Sequence, residues 1–280
     1  MTARKNTLSE TPPRLIFTDL DGTLLDHHSY DFGPALPALE RCRSLGIPVI
    51  FNTSKTLEES QALARELGIE APLVVENGSA IWLPASAQHA TEAARGKIVV
   101  LGARRSDLVG FLHALREQEG YSLQSFSDWD SATLAAHTGL SLTQASSAQQ
   151  RAYSEPLLWQ DTEHAFLHFQ SRVQRAGYRL LRGGRFLHLL GQTDKGRALR
   201  WLCDHYHGLW GQAPRVMALG DGQNDSAMLE AAQIAVQVRS PVHPFPTLSR
   251  ASTNARVIQT QLCGPEGWNE AVQAWLDETQ

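Results

Sequence analysis

The sequence predicts an α/β fold, in which a doubly wound parallel-sheet core is interrupted once by an inserted α+β module. Short apolar runs alternate with helical segments at both ends of the chain, which is typical of parallel strands joined by helical crossovers. The alternation is lost between about Pro84 and Leu190 and resumes at Asp194. Several apolar runs end in polar residues, as expected where the carboxyl ends of strands carry a site.

The first part of the core pattern begins after a polar stretch, residues 1–13, which we expect to be a flexible tail. A β-prone run, residues 15–18, then ends in Asp19. The predicted elements after the first strand are a helix at 35–45, a strand at 47–51, a helix at 57–67 and strands at 73–75 and 80–83. Gly46 and Gly68 directly follow the two predicted helices and are favourable residues for ending them.

The middle of the chain is predicted to form a cap at residues 85–190, inserted into a core of residues 14–84 and 191–280. Its expected elements are a strand at 98–101, a helix at 106–117 capped by Ser106, a polar stretch, a helix at 165–175 and a hairpin of 178–181 with 186–189. After the cap we expect helices at 195–205, 226–232 and 268–276, and strands at 215–219, 234–238 and 255–260.

Composition excludes several classes of protein. Hydrophobic residues make up 42% of the 280 residues and charged residues 19%, which suits a globular core and excludes disorder for most of the chain. The formal net charge of −4 does not favour binding to nucleic acid. We find no apolar run of about 18 residues and no signal-like leader, and so expect no membrane partner. Three widely spaced cysteines without a C-x-x-C motif fit a reducing, cytoplasmic location.

Four polar clusters lie where predicted strands end or a helix begins: 19–23, 53–55, Lys195 and 220–225. Since the carboxyl ends of parallel strands share one edge of a sheet, we expect these clusters to meet there. Four carboxylates brought together would repel one another, and a hard divalent cation relieves that repulsion. The sequence therefore predicts a Mg²⁺ site formed by Asp19, Asp21, Asp221 and Asp225.

The same residues suit transfer of a phosphoryl group. Asp19 is expected to attack phosphorus and form an aspartyl-phosphate. Asp21 would protonate the leaving oxygen and then activate water. Thr53 is placed to donate a hydrogen bond to a phosphoryl oxygen, and Lys195 and Mg²⁺ supply the positive charge that an anionic substrate requires.

These motifs resemble those of the haloacid dehalogenase superfamily: D-L-D-G-T-L-L at 19–25, the threonine at 53, the isolated Lys195 and G-D-G-Q-N-D at 220–225, in that order. The resemblance implies a Rossmann-like core with Asp19 as nucleophile and metal ligand. It implies that Asp21 is the acid/base and touches Mg²⁺ through its backbone carbonyl. Asp221 would bind the metal, Asp225 would bind it or support a ligand, and Asn224 would contact phosphate or orient a ligand.

The insertion and E-N-G at 76–78 resemble the type IIB cap group of this superfamily. More narrowly, N-T-S-K-T at 52–56, R-A-Y-S-E-P at 151–156, R-F-L-H-L at 185–189 and D-K-G at 194–196 resemble the mannosyl-3-phosphoglycerate phosphatases. That likeness implies a small sugar phosphate substrate, hydrolysed to mannosylglycerate and phosphate. The residues expected to contact the substrate are Ser54, Lys55, Asn77, Gly78, Arg151, Ser154, Arg185, His188 and Asn224.

Alternatives remain open at this point. Asn77-Gly78 is also a common turn pair, Lys55 suits a solvated surface, and Arg151 suits a surface ion pair. Another sugar phosphate such as glucosyl-3-phosphoglycerate fits the motifs equally well, because epimers differ by one hydroxyl. A phosphomutase and a non-catalytic binding protein on the same fold are further alternatives, although the presence of both Asp19 and Asp21 counts against the latter. The oligomeric state is not indicated.

Overall fold

The computed structural model describes residues 12–85, 96–183, 186–249 and 256–278, within which the strands form two sheets. The strands are β1 (Arg14–Thr18), β2 (Val49–Asn52), β3 (Leu73–Val75), β4 (Ala80–Leu83), β5 (Lys97–Val100), β6 (Leu123–Ser125), β7 (Ser154–Trp159), β8 (Arg179–Arg182), β9 (Leu187–Leu190), β10 (Arg215–Gly220), β11 (Ile234–Arg239) and β12 (Arg256–Cys263). The helices are α1 (Leu36–Ser44), α2 (Leu57–Glu66), α3 (Arg105–Glu119), α4 (Ser131–Thr138), α5 (Leu142–Gln149), α6 (Glu163–Arg175), α7 (Lys195–Trp210), α8 (Ser226–Ala231) and α9 (Gly264–Asp277).

The larger sheet has eight strands in the order β12-β11-β10-β1-β2-β3-β4-β5. Neighbours from β12 to β3 are parallel, and β4 and β5 are added antiparallel. Successive residues of β1 enter opposite cores: Ile16 packs with α1, α2 and α9, and Phe17 packs with α7 and α8. Both faces of the central strands are thus covered, as a parallel sheet requires. The predicted doubly wound α/β fold is confirmed.

The smaller sheet is antiparallel, in the order β6-β7-β9-β8. One of its faces packs on α3 and α6 through Leu108, Leu112, Phe169 and Val173. Helices α4 and α5 form a separate small core around Trp129. The predicted hairpin corresponds to β8 and β9, which pair directly.

The predicted cap boundary requires a correction. Strand β5 pairs with β4 and is the edge strand of the larger sheet, so residues 97–100 belong to the core sheet and not to the cap. We therefore propose that the cap begins after Val100 and ends near Leu190, where β9 ends. The predicted flexible tail lies outside the described residues, apart from Pro12 and Pro13.

Some local predictions were wrong for identifiable reasons. The expected polar stretch contains β6, α4, α5 and β7. Helices α4 and α5 have eight residues each and are partly exposed, so their apolar periodicity is weak. Helix α3 begins at Arg105, without a side-chain cap, so Ser106 is not its N-cap. The amide of Arg105 instead donates to the carbonyl of Ala152 at 2.7 Å, a tertiary contact that sequence alone does not reveal.

The chain crosses between the two sheets twice, and both crossings are held at the same place. On the way out, the amides of Leu101 and Gly102 donate to the carbonyl of Ser79 at 2.9 and 3.0 Å. On the way back, the hydroxyl of Thr193 donates to the carbonyl of Gly78 at 2.7 Å. The turn that joins β3 to β4 therefore anchors both crossings.

Across the residues that the structure describes, no helix has the length and apolar character needed to cross a lipid bilayer.

Candidate active site

The turn after β1 places the first two aspartates at the carboxyl edge of the larger sheet. The amide of Asp19 donates to the carbonyl of Leu219 at 2.9 Å, which ties this turn to the end of β10. Gly22 has a φ of +81°, and a Cβ atom there would lie 2.6 Å from Oδ2 of Asp221. Only glycine allows the turn to approach the neighbouring loop this closely.

The loop after β10 supplies the other two aspartates. Oδ1 of Asp221 accepts a hydrogen bond from the hydroxyl of Thr23 at 2.9 Å. Oδ2 of Asp225 accepts one from the amide of Gly222 at 2.9 Å, and this side chain is fully buried. The two loops are thus joined by direct contacts, as the strand order β10-β1 predicts.

Lys195, at the first position of α7, is fully buried between two of these carboxylates. Its ammonium nitrogen lies 2.7 Å from Oδ1 of Asp19 and 2.6 Å from Oδ1 of Asp225. Burial alone would lower the pKa of Lys195, but the charges of Asp19 and Asp225 outweigh it and raise that pKa above its usual value. Lys195 is therefore a fixed positive charge.

Asp19, Asp221 and Asp225 each offer one oxygen, and these oxygens all lie within 4.8 Å of one another. Burial, followed by the negative charge of Asp19, raises the pKa of both Asp221 and Asp225. One lysine does not neutralise three buried carboxylates, so the cluster retains excess negative charge. Oxygen donors in this arrangement suit a hard divalent cation such as Mg²⁺.

The carboxylate of Asp21 lies apart from this cluster and pairs with Lys55, whose ammonium nitrogen is 2.9 Å from Oδ1. Burial raises the pKa of Asp21, and the charge of Lys55 opposes this effect only in part. A carboxyl group with a raised pKa suits a general acid. Lys55, predicted to contact the substrate, contacts Asp21 in this arrangement.

The loop after β2 and the turn after β3 lie side by side at the same edge. Thr53 is fully buried, and its hydroxyl oxygen accepts from the amide of Lys55 at 3.1 Å. The amide of Asn77 donates to the carbonyl of Thr53 at 2.8 Å. The side chain of Asn224 donates to Oδ1 of Asn77 at 3.4 Å, which links this turn to the loop after β10. At Gly78, a Cβ atom would lie 2.2 Å from the carbonyl oxygen of Asp194, so this residue also has a packing role.

Three of the cap residues that we predicted to contact the substrate, Arg151, Ser154 and His188, lie near the carboxyl edge of the larger sheet. Nη1 of Arg151 donates to the carbonyl of Ser54 at 3.1 Å and to the hydroxyl of Ser154 at 3.3 Å. Burial, together with the positive charges of Arg151 and Lys195, lowers the pKa of His188 to about 3. The fourth predicted cap residue, Arg185, lies outside the described residues.

Two further residues contact the site, and our sequence analysis gave neither of them a role. Nε2 of His243 lies 3.2 Å from Oδ2 of Asp221, although no metal-ligand spacing marks this histidine in the sequence. Glu76 is buried and accepts hydrogen bonds from Ala152, Tyr153 and Ser154 of the cap. Its place at the start of E-N-G, directly after a predicted strand, is a signal that would have found it.

The family of the chain follows from its fold, these motifs and a profile match. Residues 16–99 and 189–243 match the profile of the haloacid dehalogenase-like hydrolases. The two matched segments carry Asp19, Thr53, Lys195 and Asp221, and the residues between them include most of the smaller sheet. The chain belongs to the haloacid dehalogenase-like hydrolase family.

Several solved structures share this fold over nearly the whole chain. A protein from Bacteroides thetaiotaomicron, described among the phosphatases of the haloalkanoate superfamily, is 15% identical with a TM-score of 0.65, and the match covers 98% of both chains. The HAD subclass IIB sugar phosphatase BT4131 is 16% identical with a TM-score of 0.63, covering 95% of this chain and 99% of that one. The sucrose-phosphatase of Synechocystis sp. PCC6803 is 16% identical with a TM-score of 0.57, covering 95% and 98%.

Proposed function

We propose that the protein is a Mg²⁺-dependent phosphomonoesterase that acts on sugar phosphates. The observation that carries this proposal is the position of Lys195, buried between Asp19 and Asp225 with Asp221 beside them. Such a cluster combines a carboxylate nucleophile, a fixed cation and a set of oxygen ligands within a few ångströms. The proposed cap contacts the loop after β2 through Arg151 and would separate the reaction from bulk water.

In the first step, an oxygen of Asp19 forms a bond to phosphorus and the ester oxygen leaves with the bonding electrons. Asp21 donates its proton to that oxygen, so the leaving group departs with a hydroxyl in place of an alkoxide. Lys195 and the buried Nδ2 of Asn77, which has no hydrogen-bond partner among the described residues, are placed to hold phosphoryl oxygens. When bound by Asp19, Asp221 and Asp225, Mg²⁺ would supply the positive charge that lets one anion attack another.

In the second step, the Asp21 carboxylate removes a proton from water, and the resulting hydroxide attacks phosphorus. The bond from phosphorus to Asp19 breaks, and inorganic phosphate is released. Asp21 regains its proton and Asp19 regains its carboxylate, so the enzyme returns to its starting state. The contact of Asp21 with Lys55 positions this carboxylate away from the metal cluster, as separate roles require.

Within the class of sugar phosphates, we propose mannosyl-3-phosphoglycerate as the substrate and a type IIB cap as the part that selects it. Two solved structures with this fold are a sugar phosphatase of subclass IIB and a sucrose-phosphatase, which supports a sugar ester. The guanidinium of Arg151 suits the carboxylate of a glycerate group, and Ser154 and His188 offer polar contacts beside it. Glucosyl-3-phosphoglycerate remains the alternative, because the two sugars differ at one hydroxyl.

The test is phosphate release from mannosyl-3-phosphoglycerate, glucosyl-3-phosphoglycerate and several hexose phosphates, with Mg²⁺ and with a chelator. Asp19→Asn should abolish turnover while leaving the fold intact. Asp204→Asn, an exposed aspartate on α7, is the matched control and should behave as wild type. Turnover of the mannosyl ester alone supports the full proposal, and turnover of many esters overturns the named substrate. A folded wild-type protein that releases phosphate from none of them contradicts the proposed activity.

A further inference from the structure

The carboxylate of Glu76 joins the core to the cap through three hydrogen bonds. Its Oε1 accepts from the amide of Ala152 at 2.9 Å, and its Oε2 accepts from the amide of Tyr153 at 3.1 Å and from the hydroxyl of Ser154 at 2.6 Å. Glu76 is 1% exposed, so these bonds are shielded from water. Hydrogen bonds to a buried charged group are stronger than neutral ones.

The backbone around Glu76 is held in an uncommon conformation. Glu76 and Asn77 have φ values of 51° and 59°, and Gly78 follows with 84°. Left-handed backbone at a non-glycine residue persists only where surrounding contacts impose it. Here the amide of Glu76 donates to the carbonyl of Lys55 at 3.0 Å, and Asn77 is bonded to Thr53. The turn is therefore built onto the loop that we propose binds phosphate.

A chain of contacts leads from Glu76 to a residue that we propose contacts the substrate. The hydroxyl of Ser154 donates to Glu76 and accepts from Nη1 of Arg151. The same Nη1 donates to the carbonyl of Ser54, next to Thr53. The position of the Arg151 guanidinium over the catalytic edge is thus set through Ser154 by Glu76.

We infer that Glu76 is a positioning residue that fixes residues 151–154 of the cap against the catalytic edge and so sets the substrate affinity that Arg151 provides. The kinetic consequences of this inference rest on the proposed phosphatase activity, whereas the contact between Glu76 and residues 152–154 does not. Loss of the Glu76 charge should weaken binding of esters that reach Arg151. It should affect much less the hydrolysis of esters too small to reach it.

Another glutamate at the core–cap interface provides a matched control. Oε1 of Glu58 on α2 accepts one hydrogen bond, from the hydroxyl of Ser147 at 3.2 Å, at an exposed position. A single exposed contact contributes little to stability. Glu58→Gln therefore makes the same chemical change at the same interface without removing a buried carboxylate.

The experiment compares wild type, Glu76→Gln and Glu58→Gln by kinetics and by amide hydrogen exchange. Glutamine keeps one acceptor oxygen but presents an NH₂ group to a donor, so at least one of the three bonds is lost. We expect KM for the best sugar phosphate to rise roughly tenfold or more in Glu76→Gln, with kcat/KM for p-nitrophenyl phosphate within about threefold of wild type. We also expect faster exchange at the amides of Ala152 and Tyr153 in Glu76→Gln alone.

The outcomes separate this inference from the proposed function. Wild type that hydrolyses no ester overturns the phosphatase, and exchange at Ala152 and Tyr153 then decides the role of Glu76 by itself. Unchanged exchange in a folded Glu76→Gln protein contradicts the inference, as does an equal loss of activity on both esters. If Glu76→Gln does not fold, Glu76→Asp is used instead. We then expect faster exchange of the same two amides than in wild type, and unchanged exchange would contradict the inference.

Discussion

The ammonium nitrogen of Lys195 lies 2.6 Å from Oδ1 of Asp225, and both side chains are completely buried. An ion pair in this position is costly to desolvate, so it stabilises the protein little relative to an apolar pair. Removal of one partner is different, because the remaining charge stays buried without compensation. The contact between Lys195 and Asp225 is therefore better explained by a role in the chemistry of the site than by a contribution to the stability of the fold.

Lys195→Met should lower the free energy of unfolding of the metal-free protein by about 3–5 kcal/mol, because it leaves Asp19 and Asp225 buried without their cation. Urea denaturation in the presence of a chelator measures this loss. The double variant Lys195→Met, Asp225→Asn should regain part of the stability and none of the activity. A single variant as stable as wild type would show that the carboxylates are already neutral.

Mg²⁺ should bind more tightly as pH rises and should displace protons from the site. Burial and the charge of Asp19 raise the pKa of Asp221 and Asp225, so part of the metal-free population is protonated near neutral pH. Isothermal titration calorimetry in buffers of different ionisation enthalpy counts the protons released. Proton release that does not diminish in Asp225→Asn would contradict this explanation.

Gly22→Ala should impair Mg²⁺ binding far more than Gly46→Ala. Both glycines have positive φ, at +81° and +64°, so both substitutions share the backbone cost of roughly 1–2 kcal/mol. The new Cβ atom meets Oδ2 of Asp221 at position 22 and finds nothing within 4 Å at position 46. Calorimetric affinity for Mg²⁺ is the measurement. Equal Mg²⁺ affinities in the two variants would mean that Asp221 can move away from the new Cβ atom without weakening Mg²⁺ binding.

His188 should reduce stability in acid. Its pKa is about 3 in the folded protein and 6.5 in the unfolded chain, so the unfolded chain binds the extra proton between these values. Stability is therefore lost as pH falls from about 6.5 to about 3. His188→Gln should flatten this part of the stability curve relative to wild type, and His164→Gln, at an exposed position, should not. Parallel curves for wild type and His188→Gln would contradict the lowered pKa of His188.

The core was predictable from sequence because each of its strands and helices has a recognisable local pattern, and the alternation of strand and helix repeats along the chain. Buried parallel strands such as β1 consist of continuous apolar runs in the sequence. The polar residues that follow these runs meet at the carboxyl edge of the sheet. For this reason the sequence predicts that Asp19, Thr53, Lys195 and Asp221 lie together. Their separation in sequence did not matter, because the strand order brings them together.

The cap was less predictable, since its elements depend on contacts between distant segments. Strand β7 contains a buried glutamate, Glu155, whose charge is matched by Arg105 at 2.5 Å from a different element. A buried charge inside a strand hides the apolar pattern on which strand prediction relies. The contact of His243 with Asp221 has no sequence signal either, because the two residues lie in different loops.

Both crossings of the chain are bonded to the adjacent residues Gly78 and Ser79. A linker of about three residues, spanning on the order of 10 Å, would then close the chain from Leu101 to Thr193 without changing the order of the core strands. Such an insertion can change in length without displacing the strands that carry Asp19 and Asp221. The geometry of this one turn therefore allows the inserted segment to vary independently of the core strands.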